Sequence, residues 1–222
     1  LSSDGTDLLL DRTAIGGGGA ALELYAENYD GTSTLPVATG TNAVAIGREA
    51  TATSADDVAI GWNANATAQT SSPALAIGRN ANATAGGIAI GNFADATGNY
   101  ATSIGTSADA TAMNASALGN DAQAAGTSSV AIGKSYASGS DSLAAAIADN
   151  TSSYGATNTK TLALGYRAKA SNSVSTAFGP LSLASGSSSF AVGYGSTASG
   201  GNSSSFGSYG TASANRALVI SN

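Results

Sequence analysis

The tripeptide Ala45-Ile46-Gly47 returns as Ala59-Ile60-Gly61, fourteen residues later, and variants of the phrase recur to the end of the chain. The closing glycines are Gly47, Gly61, Gly78, Gly91, Gly105, Gly119, Gly133, Gly165, Gly179, Gly193 and Gly207. Their spacings are 14, 17, 13, 14, 14, 14, 32, 14, 14 and 14, and Ser221 closes a last phrase 14 residues after Gly207. The gap of 32 hides a degenerate copy, "DSLAAAIADN", in which Ala146 or Ala148 stands for the glycine. Roughly thirteen copies thus run from Asn42 to Asn222. A fixed period of this kind means stacked, near-identical structural units.

Aligned on the glycine, the copies form columns. The residue before it is always large and apolar: Ile46, Ile60, Ile77, Ile90, Ile104, Leu118, Ile132, Leu164, Phe178, Val192 and Phe206. The one before that is always Ala or Ser. Five residues after the glycine stands Ala in every anchored copy except one, where the residue is Ser138. Two heptads of a coiled coil would also repeat every fourteen residues, but a glycine in each copy would cost a helix about 1 kcal/mol apiece relative to Ala. The alternation is of period two, with Val44 and Ile46 on one side and Ala45 on the other, which is strand patterning. Each copy therefore reads as a strand of roughly five residues, a glycine corner, a second such strand and a second corner, by the rule that strand side chains alternate faces. The fold class is all-β, a parallel β-solenoid of about thirteen coils. At a rung spacing of about 4.8 Å the rod would be roughly 60 Å long.

Large side chains are scarce, so a thick single core is excluded; 10% of the residues are charged, fewer than in an ordinary soluble domain. A coil this small admits only Ala, Ser or Gly between its sheets. The Ile/Leu/Val/Phe column must then point outward, forming an apolar stripe larger than monomers tolerate. Three chains around one axis would bury that stripe, which predicts a homotrimer with the eleven large residues packed along the axis. The alternative is a monomer in which the same column is the solenoid's own core.

With no Cys and no His, the chain lacks disulfides, thiolate nucleophiles, and the commonest general base and metal ligand. The net charge of −6 and the absence of a basic run argue against nucleic-acid binding. No apolar stretch approaches the about 20 residues of a membrane-spanning helix, so direct membrane insertion is not expected of this segment. A first residue Leu1 rather than Met reads as a processed or excised piece, with any export signal or anchor elsewhere.

The phrases "NAVAIGREATATS", "GIAIGNFADATG" and "SSVAIGKSYASG" resemble the head repeat of trimeric autotransporter adhesins, the YadA-like head, over about Asn42 to Asn222. The resemblance implies a left-handed parallel β-roll, homotrimeric, in an extracellular fibre that mediates adhesion. The family's polar pair before Val-Ala-Ile-Gly is only partly kept here. Insertions near Ser71–Pro73 and Asn150–Lys160 read as loops thrown out of the rod. No neck, stalk or barrel follows Asn222, so the resemblance alone leaves a phage tail-fibre shaft open as an alternative on a virion. Residues 1–41 do not follow the repeat and read as a β-rich cap or connector, with a strand around Leu22 and Leu24 and a turn at Asp30-Gly31.

Catalysis is not expected. Asp56-Asp57, the one adjacent acidic pair, reads as a solvated turn. Asp4-Gly5-Thr6-Asp7 lacks the Glu of a calcium loop, so no metal and no cofactor is assigned. The corner after the glycine carries Arg48, Trp62, Arg79, Phe93, Lys134, Tyr166 and Tyr194. Exposed aromatics there are candidate contacts for a protein or glycan receptor, namely Trp62, Phe93, Tyr166 and Tyr194. A column Thr53, Thr67, Thr84, Thr97, Thr111 raises a third reading, an ice-binding solenoid, weakened by its place near a turn and by its change to Ala and Ser further on. The leading expectation is a non-enzymatic trimeric fibre head, exposed on a cell or virion, that adheres or holds a binding tip away from the surface.

Overall fold

A computed structural model describes residues 34–68, 72–148 and 153–222, and the backbone of 22–24. The described residues form two parallel sheets, one of 14 strands and one of 13, between which the chain alternates. Each strand pairs with the equivalent strand of the next coil. In the first sheet Val44, Ala45 and Ile46 lie in register with Val58, Ala59 and Ile60. In the second, Thr51 and Ala52 lie opposite Asn65 and Ala66. The architecture is an all-β parallel solenoid of about thirteen turns.

The strands are shorter than expected. Those of the first sheet span three residues, as in Val44–Ile46, and those of the second two or three, as in Thr51–Ala52. The corners take the rest. At one corner the Ala50 N–H donates to the Gly47 carbonyl at 3.2 Å, with Glu49 at φ 62°. At the other the Ala43 N–H donates to the Gly40 carbonyl at 3.1 Å, with Asn42 at φ 58°. An i to i+3 bond with positive φ at the second of the two central residues and not at the first is the signature of a type II turn.

The repeated glycine is held there by two constraints. Gly47 has φ 109°, beyond the left-handed well that other residues visit, and a Cβ on it would lie 2.9 Å from the Gly61 carbonyl oxygen in the next coil.

The interior is as thin as the columns demand. Ala43, Ala45, Ala50 and Ala52 of one coil are fully buried, and the same four places are filled by Ala or Ser in most other coils. The large column points outward. Ile104, Ile132, Phe178 and Phe206 are exposed, and the other seven of the eleven residues are half-buried along the outer face of the first sheet.

Register settles the irregular copies. Ala144 pairs with Ala131 and Ala145 with Ile132, so the glycine's place falls to Ala146, at φ 56°. The next residue, Ile147, turns inward and is the largest fully buried side chain of the roll. The apparent exception at Ser138 disappears: Ala137, not Ser138, pairs with Ala124, because the corner after Gly133 is one residue shorter. The stretch 150–160 is not wholly a loop, since Gly155–Ala156 is a rung of the second sheet. The strand around Leu22 is present as Leu22–Leu24, paired in parallel with Val44–Ile46, and Val37–Ala38 pairs with Thr51–Ala52. The turn at Asp30-Gly31, the Asp4–Asp7 segment and residues 69–71 lie outside the described residues.

Candidate functional site

Three surfaces run the length of the rod. The first is the apolar outer face of the first sheet. Its two rows are the large column itself and the residues two places before it: Val44, Val58, Leu75, Ile88, Thr102, Ser116, Val130, Leu143, Leu162, Thr176, Phe190, Ser204 and Leu218. Towards the C-terminus large and small residues alternate between rows, and Phe190 packs against Phe206 with ring centroids 5.6 Å apart. Ala145 leaves a notch in the large column between Ile132 and Leu164.

The second surface is the corner ridge, which carries all four candidate contact residues. Trp62, Tyr166 and Tyr194 each follow the corner glycine directly, whereas Phe93 follows it by two and takes the left-handed turn position at φ 56°. Trp62 is 39% exposed, but the coil before and the coil after close over it. The Arg48 guanidinium lies 4.4 Å and that of Arg79 4.3 Å from its ring centroid. The indole Nε1–H donates to Glu49 Oε2 at 3.2 Å. Arg79 also stands 5.6 Å from the Phe93 ring. Further along, Arg167 lies between Tyr154 and Tyr166, at 5.4 and 5.3 Å, and Tyr194 meets the edge of Tyr209 at 5.3 Å. The candidates therefore fall into three separate clusters on one ridge. Tyr209 and the flanking arginines are members that sequence inspection passed over as contacts. Their periodic place at or next to the corner was the available signal.

The third surface is the outer face of the second sheet. One outward column reads Thr51, Asn65, Asn82, Asp95, Asp109, Gln123, Tyr136. Amides link its rungs: Asn65 Nδ2 donates to Asn82 Oδ1 at 2.9 Å, and Asn82 Nδ2 to Asp95 Oδ1 at 3.1 Å. Burial raises the Asp95 carboxyl above its ordinary range, partly offset by that amide. The Asp109 carboxyl is raised too, first by burial and then by the charge of Asp95. The threonine column runs beside it, and Thr67 and Thr84 lie within strands rather than at a turn.

The reading of Asp56-Asp57 as a solvated turn needs correction. Asp56 is exposed at the turn, but Asp57 is fully buried. It occupies the inward place held by Ala43 in the preceding coil. Its carboxylate accepts N–H bonds from Ser54 at 2.8 Å, Ala68 at 3.2 Å and Ala74 at 2.8 Å. Ala68 and Ala74 are where the chain leaves and rejoins the roll in the 17-residue coil. The carboxylate replaces the main-chain acceptors that the insertion takes away. Among the described residues no group of three or more His, Cys, Asp or Glu comes together as a metal site.

A thin interior of Ala, a corner glycine in almost every coil and an outward aliphatic column together define a specific repeat. The family model of the YadA head domain repeat (two copies) matches residues 38–64, 85–108, 110–135, 156–182 and 184–209, together more than half of the chain. The chain belongs to the YadA head family. The unmatched gaps at 65–84 and 136–155 coincide with the two irregular coils, the one anchored by Asp57 and the one that turns Ile147 inward. In both coils the ladders of the two sheets continue across the irregularity. No curated protein matches the chain.

Proposed function

We propose that this YadA head segment is a non-enzymatic module of a homotrimeric fibre on an outer cell surface, where it adheres to a protein or glycan receptor or holds a binding tip away from the surface. The observation that carries the reading is the largely apolar outer face of the first sheet. Its column of eleven large aliphatic and aromatic side chains, notched at Ala145 and flanked by a second row in which Thr102, Ser116, Thr176 and Ser204 interrupt the apolar residues, exceeds the few hundred Å² that a monomer leaves in water, on a chain whose own interior has no space for it. Three copies facing one axis would cover both rows while leaving the second sheet and at least part of the corner ridges to solvent. Family membership supports the same assembly and an extracellular place.

Light scattering of the purified chain tests the assembly: a mass of three times 21.2 kDa is expected, and a monomer overturns it. Adhesion is tested by coating inert beads with the trimer and counting attachment to cultured cells and to matrix-coated plates. Attachment above beads coated with an unrelated β-solenoid is expected. If none occurs on any surface, the chain serves as a spacer for a tip carried elsewhere.

A further inference from the structure

The outward column of the second sheet places two carboxylates on consecutive rungs. Asp95 and Asp109 are direct partners in the parallel ladder, at a rung spacing of about 4.8 Å. Like charges stacked so closely in a sheet are destabilising. The other ladder partners of the pair are neutral. Asn82 precedes Asp95 and Gln123 follows Asp109 in the same column. The strands packed behind them, Ile88–Ile90, Thr102–Ile104 and Ser116–Leu118, carry no titratable side chain. The first cation in the column is Lys169, four rungs beyond Asp109 and so about 19 Å away, beyond the screening length of physiological salt. One further observation marks the pair as incomplete. Asp109 Oδ1 is buried and has no hydrogen-bond partner. A buried carboxylate oxygen without a donor is costly, and such an atom calls for a group that would complete it.

We infer that Asp95 and Asp109 take up one proton between them as the pH falls, as a carboxylic acid–carboxylate hydrogen bond across the rung, and that acid therefore tightens this part of the roll. The proton removes the repulsion and supplies the donor that Asp109 Oδ1 lacks. The directions agree with this: burial raises both carboxyls, and the charge of Asp95 raises that of Asp109 further.

The sign follows from linkage. Each folded carboxyl binds its proton at higher pH than it does in the unfolded chain, so the folded state carries more protons between those two values. Stability is then gained as pH falls through the folded pKa and is at its fullest below the unfolded one. Most paired carboxylates do the reverse, losing stability as pH falls. A fibre built this way would be reinforced, rather than loosened, in an acidic setting.

The test is thermal melting of the full chain and two variants from neutral to mildly acidic pH. Asp109→Asn fits the ladder, since Asn65 and Asn82 already occupy this column. Its amide can donate to Asp95 without a proton from solvent. Asp141→Asn, at an exposed corner, removes the same charge away from the pair. The wild-type chain and Asp141→Asn should melt at higher temperature as the pH is lowered. Asp109→Asn should melt higher than wild type at neutral pH and lose most of that pH dependence. The inference is overturned if Asp109→Asn keeps the wild-type pH dependence, if the wild type loses stability steadily in acid, or if a divalent cation at neutral pH, and not acid, removes the difference between them.

Discussion

The Arg79 guanidinium stands 4.3 Å from the centre of the Trp62 ring, and Arg48, one coil before Trp62, stands 4.4 Å from the same centre. The three side chains come from successive coils, so a strictly local sequence feature, one variable residue after each glycine, becomes a stack across neighbouring coils. The only tryptophan of the chain is thereby committed on its ring faces. What it offers a receptor is an edge.

Trp62→Ala should cost roughly 1–2 kcal/mol, the sum of two partly exposed cation–π contacts of about 0.5–1 kcal/mol each. Arg79→Ala gives up two such contacts as well, to Trp62 and Phe93, and should free a face of the indole. If a glycan binds this ridge by stacking on Trp62, Arg79→Ala should strengthen binding while weakening the fold. Chemical denaturation and glycan-coated plates measure the two effects separately.

The inner and outer columns predict opposite responses to substitution. Ala59→Leu pushes three extra carbons into an interior with no free space and should destabilise the roll by about 3 kcal/mol, the upper end for overpacking. Its mass in light scattering should stay unchanged while its melting temperature falls. Ile104→Asp, on the exposed face of the same solenoid, alters no interior contact. It should leave the circular-dichroism spectrum of the coil intact and lower the mass, because a trimer would gather three carboxylates along its axis.

Asp57 should be the most sensitive polar position in the roll. Asp57→Ala strands the amides of Ser54, Ala68 and Ala74 away from water, and should cost about 3 kcal/mol or more at the usual penalty for orphaned buried donors. Hydrogen exchange at Ala68 and Ala74 should accelerate well before that of the regular coils. Asp56→Ala, beside it but exposed, should change neither amide.

Most of the fold was legible because its chemistry repeats. Ala45 and Ile46 declare inside and outside in eleven copies, and the corner glycines fix the register between them. What escaped was non-repeating. Asp57 stands fourteen residues after Ala43, so its inward place follows from the period; what the sequence hides is its partners, because the amides of Ala68 and Ala74 reach it only across an insertion that begins eleven residues later. The shortened corner after Gly133 made Ser138 look like an exception, since counting along the chain cannot see that Ala137 has moved up one place. Asp95 and Asp109 were visible in principle, one period apart in the same column, but their neighbourhood of uncharged rungs becomes evident only when the columns are read across both sheets.

Val174 offers the last test, of the corner itself. It is a β-branched residue held at φ 58°, a conformation held at the equivalent place by Asn, Asp or Gly in some coils, as at Asn114 and Asn202, and by Ser, Tyr, Lys or Arg in others, none of them β-branched. The left-handed well costs an ordinary L-residue about 1–2 kcal/mol, and a branched Cβ adds crowding. The side chain is 52% exposed, so little burial is lost on replacing it. Val174→Asn should therefore raise stability by about 1 kcal/mol, seen as a higher midpoint in denaturant with an unchanged slope. Should Val174→Asn instead destabilise the trimer while stabilising a dissociated chain, the corner side chain would be packing against a neighbouring copy, and the ridge would have to be assigned to the seam between subunits.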